Sequence, residues 1–337
     1  MELITTNGIL TEADVQKAKD IFEEGTSKNT VEAYRRDVNY FFTWAELVVG
    51  GNPLVLPIKP DLVVKFITDH VTGLDPQVDT SLVAMKIKGR LGPYSVTTVS
   101  RRVSALSVLH RMKGFEHVNP CKQPHVSQLL SKARKRAVKQ GVNPKKKKAA
   151  TLDKLDAMIA TCDDSLAGLR TKAMFYFAFS SGGRRASEVA TARLQDLTCH
   201  GDDYTYLIPH SKTDQEGKGH VVPICGVAAD ALREWIKAAD ITEGKIFRGI
   251  TRHGRITDSL TRQSVTRLVK QHAELAGLNP KDFSSHSMRS GYMTEAGNQK
   301  HELKDIMGLS GHKTVDVAMG YMQTKTALKN PTNKLAG

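Results

Sequence analysis

Residues 286–321 read HSMRSGYMTEAGNQKHELKDIMGLSGHKTVDVAMGY. His286 and Arg289 stand at positions i and i+3, which share one face of a helix. Leu309-Ser-Gly-His312 follows, and Tyr321 comes nine residues after that histidine. Each of these groups can hold a phosphate oxygen or move a proton. Two segments upstream add to them. Residues 181–188, SGGRRASE, close an almost continuous apolar run, Ala173–Phe179, which predicts a buried helix. Glycines there let the backbone turn sharply and set an arginine on a rigid edge. Lys212 lies in the polar turn SKTDQEGKG, between Tyr204–Pro209 and His220–Ile224. Both flanks have strand character, with Tyr204, Tyr206 and Ile208 alternating. Taken singly, Arg185 with Glu188 reads as a surface ion pair, and Lys212 as an ordinary turn lysine. His286 with Arg289 reads as a surface pair, and Tyr321 as a core or rim tyrosine. Their order and spacing together carry the argument.

The chain has 337 residues, a length that suggests two domains. The formal net charge is +14, of which +10 falls in residues 1–150. Such an excess points to a polyanionic partner, nucleic acid being the commonest. The four cysteines, Cys121, Cys162, Cys199 and Cys225, form no CxxC pair and read as free thiols. Cys199, His200, His220 and Cys225 match the spacing of no common zinc module. No apolar run approaches the roughly 20 residues of a membrane span. The start, MELITTNGILTEADV, is acidic and lacks the pattern of a signal peptide.

The first half reads as helical. In Thr30–Val49 the apolar residues Val31, Tyr34, Val38, Phe41, Ala45 and Val48 recur at helical steps, leaving Arg35 and Arg36 off the stripe. Further helices are predicted over 61–71, opening after Pro60, over 96–112 and over 127–138. Val96, Val99, Val103, Leu106 and His110 line the third helix, and Thr97, Thr98, Arg101 and Arg102 project elsewhere. The densest basic run is Lys132–Lys148, KARKRAVKQGVNPKKKK, interrupted by Gly141 and Pro144. It carries Lys132, Arg134, Lys135 and Arg136 and then Lys145, Lys146, Lys147 and Lys148. We read it as the domain boundary, at 140–150, and as a linker that follows a phosphate backbone rather than a plain solvated surface or a localisation signal. An amphipathic segment opens after Thr151, and helices return at about 226–239, 259–276, 287–297 and 301–308.

With these residues in place, the sequence resembles the tyrosine recombinases, the phage integrase family. That family's pattern is an arginine followed by x-Ser/Ala-Glu, a hairpin lysine, His-x-x-Arg, and Gly-His with a nucleophilic tyrosine nine residues on. Here the matching residues are Arg185-Ala186-Ser187-Glu188, Lys212, His286-x-x-Arg289, Gly311-His312 and Tyr321. Arg184 competes with Arg185 for the first role, though the spacing to Glu188 favours Arg185. Ser290 stands where the family often has a second histidine. The likeness covers roughly residues 25–325.

The resemblance implies a mainly α fold. A helical DNA-clamping (core-binding, SAM-like) domain would span 25–140, after an extension at 1–24. A basic linker at 141–150 would lead to a mixed, mostly α catalytic domain with a small antiparallel sheet at 151–325, and a tail at 326–337. Residues 1–24 are too few for an arm-type domain, so the layout is similar to the two-domain Cre-like and Xer-like recombinases. By the same resemblance Tyr321 attacks the scissile phosphate, Arg185, Arg289 and His312 hold its oxygens, and His286 takes a proton. Lys212 protonates the leaving oxygen and Glu188 orients Arg185. Arg35, Arg36, Arg101, Arg102 and the basic run would meet DNA. The expected partner is double-stranded DNA with an inverted-repeat core site, bound by a homotetramer, the tail docking onto a neighbouring protomer. No acidic cluster suits magnesium, so neither metal nor other cofactor is expected. A cytoplasmic, nucleoid-associated protein of bacterial or phage origin fits this picture. A type IB topoisomerase or an end-resolving enzyme shares the chemistry. A decayed DNA-binding protein or a general basic binder would not explain the ordered set.

Overall fold

The computed structural model describes residues 11–50, 55–142, 146–209 and 219–323. The chain divides into two compact units, Met1–Pro144 and Lys145–Gly337. Lys145 and Lys212 lie outside the described residues, as does the tail beyond Gln323.

The first unit is a helical bundle of α1 (Glu12–Glu24), α2 (Lys28–Val49), α3 (Pro60–Thr72), α4 (Pro76–Ala84), α5 (Val96–Met112) and α6 (Pro124–Lys139). Local chemistry sets the helix starts. Ser27, Asp75 and Ser95 accept N–H groups of the first turns of α2, α4 and α5, while Pro60 opens α3. Phe41, Trp44, Phe66, Leu82, Val99, Leu106 and Val126 fill the core. The buried ridge of α2 is Asp37, Tyr40, Phe41, Trp44 and Ala45, rotated from the expected stripe toward its two largest aromatic side chains. Two histidines complete this core rather than serving chemistry. His70 takes the Tyr40 hydroxyl on Nε2 and the Phe66 carbonyl on Nδ1. His110 accepts the Ile58 N–H on Nε2 and bonds the Leu106 carbonyl through Nδ1.

The second unit holds α7 (Leu152–Ile159), α8 (Leu166–Ser180), α9 (Ala186–Thr191), a three-stranded sheet, α10 (Val227–Ala238), α11 (Arg262–Leu275), α12 (His286–Asn298), α13 (Leu303–Ser310) and α14 (Val315–Tyr321). The strands β1 (Leu197–His200), β2 (Asp203–Ile208) and β3 (His220–Ile224) pair antiparallel in that order, with Tyr206 opposite both Leu197 and Val222. Tyr206, Ile208, Val222 and Ile224 turn inward and Leu207 and Val221 outward, as the pleat requires. The fold is thus mainly helical with a small antiparallel sheet. Helix α8 is apolar nearly all round and runs through the core, where Phe177 meets Tyr206 and Phe247 edge-on. The burial of α8 fixes the turn that follows it, and that turn begins the site.

Candidate active site

The turn between α8 and α9 is Ser181-Gly-Gly-Arg-Arg185. Gly182 and Gly183 have φ of 92° and 75°, in the left-handed region. Space also demands glycine. A Cβ on Gly183 would stand 2.7 Å from Arg289 Cα, and one on Gly182 would stand 2.3 Å from the Leu309 carbonyl oxygen. The turn therefore packs directly against α12 and the end of α13.

The two adjacent arginines of the turn point to different surroundings. Arg184 is buried, and its Nη2 donates to the carbonyls of Gly182 (3.2 Å) and Leu309 (2.8 Å). Burial lowers its pKa to about 10, against the pull of Glu188. Arg185 caps α9 and is partly exposed. Its Nη1 donates to Glu188 Oε1 at 2.6 Å, while Glu188 Oε2 accepts the Arg185 N–H at 3.1 Å. Glu188 also lies 3.8 Å from Arg184 Nη1, so one carboxylate serves both cations.

Helix α12 brings Arg289 into the centre, 1% exposed. Its Nη1 donates to the Gly183 carbonyl and its Nη2 to the Ser310 carbonyl, each at 2.8 Å. Both acceptors are neutral, and burial holds the guanidinium pKa below its ordinary value, with Arg185 acting in the same direction. A buried cation held by carbonyls is a place where an incoming anion gains most. Gly311 ends α13 in the left-handed conformation and turns His312 back toward α12. His312 Nε2 lies 2.9 Å from Arg289 Nη2, and Nδ1 lies 2.7 Å from Ser310 Oγ. Since the guanidinium can only donate, Nε2 accepts and the ring proton sits on Nδ1. Burial, then Arg289, Arg185 and Arg184, push the His312 pKa down to about 4.

Tyr321 ends α14 beside these groups. Its ring centroid is 5.0 Å from that of His312 and 5.4 Å from the Arg289 guanidinium carbon. His286, at the start of α12, is exposed. Partial enclosure, then the charges of Arg185 and Arg289, lower its pKa. Arg185, Glu188, His286, Arg289, His312 and Tyr321 thus belong to one unit and surround one region. Sequence reasoning does not single out Ser310, which orients His312, or Arg184 as a brace on Leu309. Ser310 carries a signal, since it sits in the Leu309-Ser-Gly-His312 stretch. His220 bonds the Leu309 carbonyl through Nε2 at 3.1 Å. Among the described residues, no group of three or more His, Cys, Asp or Glu side chains gathers as a metal site would require.

The expected DNA-facing cations fall into several groups. Arg35, Arg36, Lys132, Arg134, Lys135 and Arg136 are exposed, with Arg134 bonded to Ser100 Oγ at 2.9 Å. Arg101 is half exposed and paired with the buried Asp37. Arg102 departs from expectation, for it is 7% exposed and packed in the core. Its guanidinium stacks 3.3 Å from the Tyr40 ring centroid and 4.3 Å from that of Tyr94, with Nε 3.4 Å from Asp37. Lys146, Lys147 and Lys148 are exposed but turn onto their own unit, toward the Gly320 carbonyl, the Lys281 carbonyl and Asp282.

The sequence pattern of the phage integrase family matches residues 148–327. An integrase/recombinase XerD homolog of Selenomonas ruminantium is 30% identical over 95% of this chain and 89% of its own length. A tyrosine recombinase XerC of Herpetosiphon aurantiacus is 26% identical over 89% of this chain and 86% of its own. Among solved structures, the XerH site-specific recombinase in a post-cleavage complex with a palindromic difH substrate has a TM-score of 0.60 at 12% identity, covering 96% of this chain and 88% of that one. The Tn1549 transposon integrase in complex with transposon right-end DNA also has a TM-score of 0.60, at 16% identity, covering 92% and 94%. At these identities the two structures bear on fold alone. The chain belongs to the phage integrase family and is a tyrosine recombinase.

Proposed function

We propose that this recombinase cuts and rejoins duplex DNA at a defined site through a covalent 3′-phosphotyrosyl intermediate on Tyr321. The observation that carries the reading is the Arg289 guanidinium, buried on neutral carbonyls between His312 and Tyr321. Arg185 and Arg289 clamp the scissile phosphate, since guanidinium forks match its oxygens and stay charged. The Tyr321 Oη attacks phosphorus and the bond to the 5′-oxygen breaks. His286 relays the phenolic proton, and Lys212 gives a proton to the leaving 5′-oxygen. His312 is neutral without DNA. With DNA bound, the neutral ring gives the same phosphate oxygens a third hydrogen bond. Glu188 keeps Arg185 in place. The phosphotyrosyl bond keeps the energy of the broken ester, so a 5′-hydroxyl can reverse the attack without ATP.

Outside the site, the exposed arginines and lysines of both units neutralise backbone phosphates. The substrate is a duplex with an inverted-repeat core, and two paired sites are exchanged within a homotetramer whose tails dock onto neighbouring protomers. The palindromic substrate of XerH supports the inverted-repeat core. The test is Tyr321→Phe on a nicked suicide duplex. We expect no covalent complex on a denaturing gel and near-normal binding in a mobility shift. A persistent covalent band would mean that another residue attacks. Site-independent relaxation of any plasmid by a monomer would point instead to a topoisomerase.

A further inference from the structure

Beyond Tyr321 the chain is fixed by hydrogen bonds that the mechanism above leaves unused. The Gln323 N–H donates to Thr294 Oγ1 on α12 at 2.8 Å. Its side-chain amide spans two backbone groups where the second unit begins. Nε2 donates to the Lys147 carbonyl at 2.7 Å, and Oε1 accepts the Ala149 N–H at 2.9 Å. A primary amide offers one acceptor and two donors, so Gln323 pairs with this segment much as a neighbouring strand would. The segment's alternate N–H groups go elsewhere. Lys148 donates to the Asp282 carbonyl at 2.8 Å, and Ala150 to the Ser287 carbonyl at 2.9 Å. Ser287 lies between His286 and Arg289. One segment, 147–150, is therefore bound both to the start of α12 and to the residue two beyond Tyr321.

Apart from the exposed Lys146 Nζ bond to the Gly320 carbonyl at 3.2 Å, little else secures the end of α14. The helix has seven residues, far fewer than the ~12–15 an isolated helix needs, and Tyr321 is its last. Ala318 alone among its residues is fully buried, with Tyr321 and Met322 packed against Met293, Ala296 and Ile306. Such packing resists separation but constrains rotation about the last turn poorly, whereas two directed hydrogen bonds constrain it well.

We propose that Gln323 is a positioning residue for Tyr321: its amide, clamped on Lys147 and Ala149, holds the end of α14 in register with the phosphate-binding groups of α12. The proposal rests on Tyr321 as the nucleophile. Misplacing a reacting group by about 1 Å can cost ~10²-fold in rate. Gln323→Ala removes both bonds, and Gln323→Glu keeps the length but sets a carboxylate against the Lys147 carbonyl. Each full-length variant is mixed in excess with a nicked suicide duplex, and covalent complex is followed through one turnover. The rate constant reports positioning, and the amplitude reports the fraction of folded, competent protein. We expect rate constants lower by about 10- to 100-fold for both variants, with wild-type amplitude and duplex affinity within about twofold. Wild-type rate constants would overturn the proposal. So would loss of amplitude at an unchanged rate constant, which marks a merely structural residue. Tyr321→Phe is run beside them. A covalent band from that variant sinks the nucleophile reading itself, whereas a silent Tyr321→Phe with a fully active Gln323→Ala sinks only the role of Gln323.

Discussion

Substituting the two adjacent arginines of the α8–α9 turn separates bracing from catalysis. Arg184→Ala removes a buried side chain that donates to Gly182 and Leu309. The Leu309 carbonyl keeps His220 as a donor, so one carbonyl is left short, at about 1–3 kcal/mol. Loss of two buried stem methylenes costs about 1.6 kcal/mol more. Relief of a charge buried at a cost, shown by a pKa pushed down to about 10, offsets part of this. A net loss of about 2 kcal/mol lowers the melting temperature of a domain this size by roughly 4–8 °C. Arg185→Ala differs because that side chain is partly exposed. The backbone N–H of residue 185 still donates to Glu188, and Arg184 remains 3.8 Å from the carboxylate. Its melting temperature should stay within about 2 °C of wild type, while single-turnover cleavage falls by ~10²–10³, the usual cost of losing a donor to transition-state charge. Scanning fluorimetry and covalent-complex kinetics on the same preparations decide the matter. A stable but inactive Arg184→Ala beside an active Arg185→Ala would reverse the assignment, and equal rate losses would refute the division.

Gly183→Ala should slow cleavage by ~10²-fold with duplex affinity retained, because its Cβ would displace the Arg289 backbone; a wild-type rate would show that α12 yields without cost. Stability should fall as pH drops below about 6.5, the ordinary histidine value. His70, held at about 3, and His312, held at about 4, stay neutral in the folded chain while their unfolded counterparts protonate. The loss therefore runs from pH 6.5 down to those values and is absent above 6.5, and urea midpoints that stay level between pH 7.5 and 4.5 would contradict it. Replacing Lys145–Lys148 by Gln should lower the slope of log affinity against log salt by roughly 0.9 for each phosphate no longer neutralised, equally for specific and random duplexes. Lys148, paired with Asp282, should contribute least, and an unchanged slope would remove the segment from the DNA-binding surface.

The parts of the site that the sequence disclosed are those whose geometry is local. His286 and Arg289 share a face because they are one turn apart, and Gly311 turns His312 inward by a single left-handed residue. What stayed hidden depends on partners distant in the chain. A helical stripe treats Arg102 as a surface cation. It is buried because Asp37, Tyr40 and Tyr94, from other segments, neutralise and cover it. The division between Arg184 and Arg185 rests on a turn whose course is set by the Arg184 N–H to Ala178 carbonyl bond at 2.7 Å. Short elements also escaped notice. Strand β1 is mostly exposed, so no alternation marks it, and α14 exposes Val315, Val317 and Met319, so no stripe does.

Charge balance explains why one carboxylate stands among so many cations. Arg184, Arg185 and Arg289 bring three positive charges, Glu188 removes one, and His312 is neutral at working pH. Among the described residues of the site the remainder is near +2. A phosphodiester in the ground state carries one negative charge, and the pentacovalent species formed by an attacking phenolate carries two. On the proposed reading, a site of this charge matches the reacting state better than the bound duplex, which is the condition for accelerating the chemical step rather than only binding tightly. Most of the chain's net positive charge, +10 of +14, lies instead in residues 1–150, where on the proposed reading it meets phosphates that do not react. Affinity and catalysis are thus assigned to different charges. On the same reading Glu188 does more than hold Arg185 in place. Without it the centre would gain a third net positive charge, which the uncut phosphate can use as readily as the transition state can.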